Sequence, residues 1–139
     1  MITFFDTNIF IYAIDAGEPV KKKRAIQRIA QARDEGTVVL STQVLQEFYS
    51  ITTRKLRPAL TPQEVSQYIT QLCELQVIGS DTQSIQSACA LADRHKLQWR
   101  DALILEAALR AQADLLVSED GQADRRFGGL VVENPFKTD

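Results

Sequence analysis

The stretch Ile2-Thr3-Phe4-Phe5-Asp6-Thr7-Asn8 carries a short β-type run that stops at an aspartate. Four further runs share its character: Val38-Val39-Leu40, Leu75 to Ile78, Leu115-Leu116-Val117 and Leu130-Val131-Val132. Gly36, Ser41-Thr42 and Gly79-Ser80 set off the nearer of them. These runs are mostly continuous in apolar character and do not alternate. That is the pattern of strands buried on both faces, as in a parallel sheet.

Helical patterns fill the intervals: Thr7 to Ile14, Pro19 to Arg33, Thr42 to Leu56, Pro62 to Glu74, Asp81 to Lys96 and Trp99 to Ala113. The second carries Ala25, Ile26, Ile29, Ala30 and Ala32 on its apolar side. Pro58 and Pro62 separate the third from the fourth, and Thr61-Pro62 reads as an N-cap followed by proline at the first helical position. Asp81 or Thr82 caps the fifth. Five strands alternating with helices predict an α/β sandwich with a mainly parallel sheet. With no repeat, linker or low-complexity tract, residues 1–139 read as one domain.

The 139 residues are enough for one well-filled core, and 45% apolar with 24% charged residues is an ordinary globular balance. No apolar run approaches the ~20 residues of a membrane-spanning helix, and Met1 to Asp6 lacks the basic region and apolar core of a signal peptide. A cytoplasmic protein without membrane contact is expected. Cys73 and Cys89 fall in helical segments and read as small buried hydrophobes with reduced thiols. One histidine and no paired Cys/His spacing exclude a zinc site. Net charge is −2, yet basic residues cluster: Lys21, Lys22, Lys23, Arg24 and Arg28; Arg54, Lys55 and Arg57; Arg94, Lys96 and Arg100; Arg125 and Arg126. Such clusters permit phosphate contacts on one face, or simply form a solvated surface.

The acids carry the chemistry. In open parallel sheets functional groups gather beyond the carboxyl ends of the strands. Asp6 stands at such an end, where it also reads as an N-cap. Asp101 shares a helix face with Ile104, Leu105 and Ala108, so a carboxylate heads the stripe that packs on the sheet. It needs a cation, a hydrogen-bond partner or a proton, or else the free N–H groups and dipole of a helix start satisfy it. Glu47 borders the stripe formed by Val44, Phe48 and Ile51 and alone reads as a solvated edge. Asp120 follows the fourth run in Val117-Ser118-Glu119-Asp120-Gly121, where turn chemistry alone explains an Asp. Together, converging carboxylates repel, and a hard divalent cation such as Mg²⁺ or Mn²⁺ is their natural counter-charge.

In this order and at these separations, Asp6-Thr7-Asn8 after a strand, Glu47, Trp99-Arg100-Asp101-Ala102-Leu103-Ile104, Leu116-Val117-Ser118-Glu119-Asp120 and Val131-Val132-Glu133-Asn134-Pro135-Phe136 resemble the PIN-domain nucleases. The VapC-type toxins of bacterial toxin–antitoxin modules are the most similar group. The resemblance implies a three-layer α/β/α sandwich and an endoribonuclease that needs Mg²⁺ or Mn²⁺. It implies metal-binding and catalytic roles for Asp6, Asp101, Glu47 and Asp120, the last with Glu119 and Asp124 close by. Thr7, Asn8 and Ser118 match polar positions that hold the acids or the attacking water, and Arg100 is a candidate for holding the RNA backbone. It also implies a homodimer and a cognate antitoxin whose C-terminal segment lies in a groove beside the active site. Ile9 to Ile14, apolar all round, suits such an interface or burial by neighbouring helices.

Two rival readings are a non-catalytic module on the same fold and an Asp-based phosphoryl-transfer or receiver-like domain. The first would carry a broken acid set. The second would want a second Asp at position 8, which is Asn, or a lysine after a late strand, where Ser118-Glu119-Asp120 has none.

Overall fold

The computed structural model describes residues 1–120 and 123–137. The turn expected at Gly121, and with it the start of the Gly121–Gly129 loop, lies outside them. The elements run β1 (Ile2–Phe5), α1 (Thr7–Tyr12), α2 (Pro19–Glu35), β2 (Thr37–Ser41), α3 (Thr42–Arg54), α4 (Pro62–Leu72), β3 (Gln76–Ile78), α5 (Thr82–His95), α6 (Trp99–Arg110), β4 (Leu115–Val117), β5 (Arg126–Phe127) and β6 (Leu130–Glu133).

The strands lie in the order β3-β2-β1-β4-β6-β5. All pairs are parallel except β5 with β6. The sheet thus has the five strands that the apolar runs predict plus a short antiparallel edge strand of two residues. Successive strand residues point to opposite faces. Phe4 and Phe5 are both fully buried, as are Val39 and Leu40, so each face of the sheet is covered. The helices supply that cover in two packed sets: α1 with α2 and α3, and α3 with α4; α5 with α6. The architecture is a three-layer α/β/α sandwich.

Local sequence explains the element ends. Thr61 and Glu64 form a reciprocal capping box at α4, with Pro62 in the first turn. Asp81 and Ser84 do the same at α5. Gly36 lets the chain enter β2 beside β1: a Cβ there would stand 1.9 Å from the Met1 carbonyl oxygen, which accepts from Thr37 N–H at 3.0 Å.

Two expectations are corrected. The apolar side of α2 is narrower than its sequence suggests: Ala25 and Ala32 are buried and Ile29 half-buried, at i, i+7 and i+4, while Ile26 is 48% exposed and Ala30 exposed. Ile26 falls one position off that stripe. Cys73 and Cys89 are free but exposed, not buried. Ile9, Phe10 and Ile11 are buried within the chain itself, and Tyr12, Ala13 and Ile14 are half-buried against the same core. No helix among the described residues is long and apolar enough to cross a membrane.

The strand order fixes where a site can form. From β1 the chain moves outward through β2 and β3, then returns to the other side of β1 with β4. The carboxyl ends of β1 and β4 therefore flank the topological switch point, where open α/β sheets leave a crevice. Asp6 follows β1 and Ser118 follows β4.

Candidate active site

Asp6 is fully buried at that point. Its Oδ1 accepts from Thr7 N–H at 2.7 Å, which makes it the N-cap of α1, and its Oδ2 accepts from Ser118 Oγ at 2.8 Å. The cap reading of Asp6 holds, and the same carboxylate lies at the strand end beside the crevice. Asp6 N–H donates to Val117 O at 2.9 Å, and Ser118 N–H to Glu133 O at 2.9 Å, so backbone bonds lock the ends of β1, β4 and β6 together.

Glu47 comes from α3, one turn beyond Gln43. Thr7 Oγ1 donates to its Oε1 at 2.5 Å, and Gln43 Nε2 to its Oε2 at 3.4 Å. The α3 stripe is Val44, Phe48 and Thr52, all buried, with Ile51 half-buried. Glu47 precedes Phe48 at the edge of that stripe, so its stem is covered while its head reaches the crevice.

Asp101 lies in the first turn of α6. Ile104, Leu105 and Ala108 are buried on the face it heads, as the periodicity predicts. Gln98, at the N-cap, makes no side-chain cap bond, which leaves the helix start open to a carboxylate.

Arg100 draws the three acids together. It donates to Asp6 Oδ1 (2.5 Å) and Oδ2 (3.2 Å), to Glu47 Oε1 (2.9 Å) and Oε2 (3.0 Å), and to Asp101 Oδ1 (3.1 Å). Burial by itself would lower the guanidinium's pKa, but hydrogen bonds and charge from Asp6 and Glu47 outweigh it and hold the group above the ordinary arginine range. Sequence reasoning placed Arg100 on a substrate backbone; here its guanidinium sits among the carboxylates.

Ser118 Oγ also accepts from the Asp120 backbone N–H at 3.3 Å, which ties the main chain at Asp120 to this network. Of the two neighbouring acids, Glu119 is directed elsewhere: it accepts from Tyr12 Oη at 2.6 Å and from Lys21 Nζ at 2.5 Å. Asp124 is exposed, 3.8 Å from Lys137 Nζ. Asn8 is half-buried, and its Oδ1 is buried with no hydrogen-bond partner.

Two contributors escape the sequence reading. Gln43 bridges α3 to α6, donating to Glu47 and, at 3.3 Å, to the Arg100 carbonyl. Its i,i+4 spacing to Glu47 is the signal that could have found it. The Tyr12–Lys21–Glu119 cluster, with Lys21 4.7 Å above the Tyr12 ring and 5.6 Å above that of Phe136, anchors the start of the segment carrying Asp120. Nothing local in the sequence pairs these distant residues.

The oxygen donors in the cluster are carboxylates and hydroxyls, which suit a hard divalent cation. Among the described residues, no group of three or more His, Cys, Asp or Glu side chains is placed so that it could hold a metal ion. The acids converge through Arg100, not directly on one another. Donor type, not spacing, is what suits a cation here: three carboxylates reach one guanidinium.

A sequence model of the PIN domain matches residues 3–127, and the chain belongs to the PIN domain family. No curated protein matches it by sequence. Among solved structures, it is similar to a toxin–antitoxin complex from Klebsiella pneumoniae at 19% identity and TM-score 0.70, covering 98% of this chain and 99% of that one. VapBC-1 from nontypeable Haemophilus influenzae is similar at 21% identity and TM-score 0.70, over 99% and 100% of the two chains. VapC20 of Mycobacterium tuberculosis, a toxin that cleaves the sarcin–ricin loop, is similar at 16% identity and TM-score 0.67, over 86% and 90%. At these identities the likeness is one of fold.

Proposed function

We propose that this chain is a cytoplasmic endoribonuclease, dependent on Mg²⁺ or Mn²⁺, and the toxin of a toxin–antitoxin pair. The observation that carries the reading is the convergence of Asp6, Glu47 and Asp101 on Arg100 at the switch point of the sheet, with Ser118 Oγ bonded to Asp6 Oδ2 and to the Asp120 backbone N–H. Family membership and a fold shared with toxin–antitoxin proteins support it.

In this reading Asp6 and Asp101 hold the cation, assisted by Glu47 and Asp120. A bound divalent cation supplies Lewis-acid stabilisation of charge on the phosphodiester and makes water a better nucleophile. Thr7 and Ser118 fix the Glu47 and Asp6 carboxylates, and Asn8 is proposed to support the site. Glu47 and Asp120 orient the attacking water and take up its proton. The water oxygen adds to phosphorus, the P–O3′ bond breaks with its electron pair going to O3′, solvent protonates that oxygen, and the products carry a 5′-phosphate and a 3′-hydroxyl. Arg100 supplies positive charge for the RNA backbone.

The Asp-nucleophile reading fares worse. Both Asp6 oxygens accept hydrogen bonds from buried or backbone donors, Thr7 N–H and Ser118 Oγ, which lowers their nucleophilicity.

For the partner, an apolar groove of about 580 Å³ opens between α1, α2, α3 and α4, lined by Phe10, Ala13, Ile14, Phe48, Tyr68 and Leu72, with Arg33 and Glu74 among its polar lining. Such a groove accepts an amphipathic segment. The toxin–antitoxin complexes among the similar structures support an antitoxin as that partner. The homodimer is proposed from the family resemblance alone.

Induced expression in bacteria tests the reading. Wild type arrests growth, and Asp6→Ala and Asp101→Ala do not. Equal arrest by all three would remove the proposed site.

A further inference from the structure

The Arg100 contacts set a problem for any cation that binds here. An ionised carboxylate offers about four lone-pair positions. At Asp6 all four are taken: Oδ1 accepts from Thr7 N–H and from Arg100, and Oδ2 from Ser118 Oγ and from Arg100. A metal ion can ligate Asp6 only if one of these donors leaves. Thr7 N–H is backbone at a helix start, and Ser118 is fully buried and pinned by its own backbone bond to Glu133. Arg100 is different. Its side chain is 37% exposed, on a long flexible stem at the first turn of α6. It is the donor that can move.

We propose that Arg100 is a built-in cation that competes with the divalent metal for the carboxylate cluster, so that metal binding requires its guanidinium to swing out towards solvent. The inference rests on the metal-dependent reading above. Arginine does not lose its charge in a protein, so the conflict cannot be relieved by deprotonation. Without a metal, the guanidinium offsets the repulsion among Asp6, Glu47 and Asp101 and keeps the site folded. With a metal, the same charge is released beside the reaction centre, where its planar fork suits a phosphate. One residue then serves two states, and the metal decides between them.

The test is Mn²⁺ titration by calorimetry of the metal-stripped full chain, wild type against Arg100→Gln, with heat unfolding in EDTA and in Mn²⁺ alongside. Removing the competitor raises the apparent Mn²⁺ affinity about tenfold, because a larger fraction of the protein is binding-competent. Arg100→Gln unfolds at a lower temperature than wild type in EDTA and gains more from Mn²⁺. If the glutamine variant does not fold, Arg100→Lys keeps one charge without the fork and binds Mn²⁺ more tightly than wild type by a smaller factor. Equal or weaker Mn²⁺ binding by the variants, with wild type binding normally, overturns the competition while leaving the metal site standing. No Mn²⁺ binding by any of the proteins overturns both.

Discussion

Ser118 Oγ, at the end of β4, donates a 2.8 Å hydrogen bond to Asp6 Oδ2, at the end of β1, and both residues are fully buried. This bond crosses the switch point of the sheet and orients the acid on which the site is centred. A hydrogen bond to a buried charge contributes about 1.5–3 kcal/mol. Ser118→Ala is expected to lower stability by about that amount, read from the urea midpoint. It also removes one of the two donors to Asp6 Oδ2, leaving Arg100, and the acceptor of Asp120 N–H, so the proposed RNA cleavage is expected to fall more than the stability loss alone explains at temperatures where the variant is folded.

Gly36 makes a prediction independent of the chemistry. A methyl group there would collide with the Met1 carbonyl at 1.9 Å and push away the acceptor of the Thr37 N–H. Overpacking of this kind costs about 1–3 kcal/mol. Gly36→Ala should lower the melting temperature through the β1–β2 pairing, with the catalytic constants per folded molecule little changed.

The Tyr12–Lys21–Glu119 cluster makes the fold sensitive to alkali. Burial, then the hydrogen bond to Glu119, raises the Tyr12 hydroxyl above its ordinary value of 10.0, and the hydrogen bond to Glu119 raises Lys21 above 10.5. A raised folded-state value means the unfolded chain gives up its proton first. The stabilisation is therefore complete below about pH 10 and is lost as pH rises through the folded values. Melting temperature should fall from about pH 10 upward, and less steeply in a Tyr12→Phe, Lys21→Met double variant. Parallel curves for the two proteins would refute the assignment.

What the sequence discloses and what it hides have physical reasons. β1 and β4 are legible because continuous apolar runs mark strands buried on both faces, and Phe4, Phe5, Leu116 and Val117 are buried so. Asp101 stands out because a carboxylate on the stripe of Ile104 and Leu105 conflicts with a local pattern. Glu47 is legible for the same reason, more weakly. Arg100 is not. Its adjacency to Asp101 says nothing of Asp6 and Glu47, 94 and 53 positions away, which only the fold brings within reach. The Glu119 clamp is hidden likewise, since Tyr12 lies 107 residues off. β5 is two residues long, below the length at which a period can be read.

The central claim is a metal-dependent carboxylate site built around Asp6. It is tested most directly by incubating purified protein with structured RNAs in Mn²⁺ or in EDTA, wild type beside Asp6→Asn and Asp101→Asn, and mapping the product ends. The account predicts cleavage by wild type in Mn²⁺ alone, with 5′-phosphate and 3′-hydroxyl ends, and a loss of at least about 100-fold in either variant, the scale of a removed transition-state contact. Cleavage by wild type that persists in EDTA, or that survives both substitutions, would contradict it.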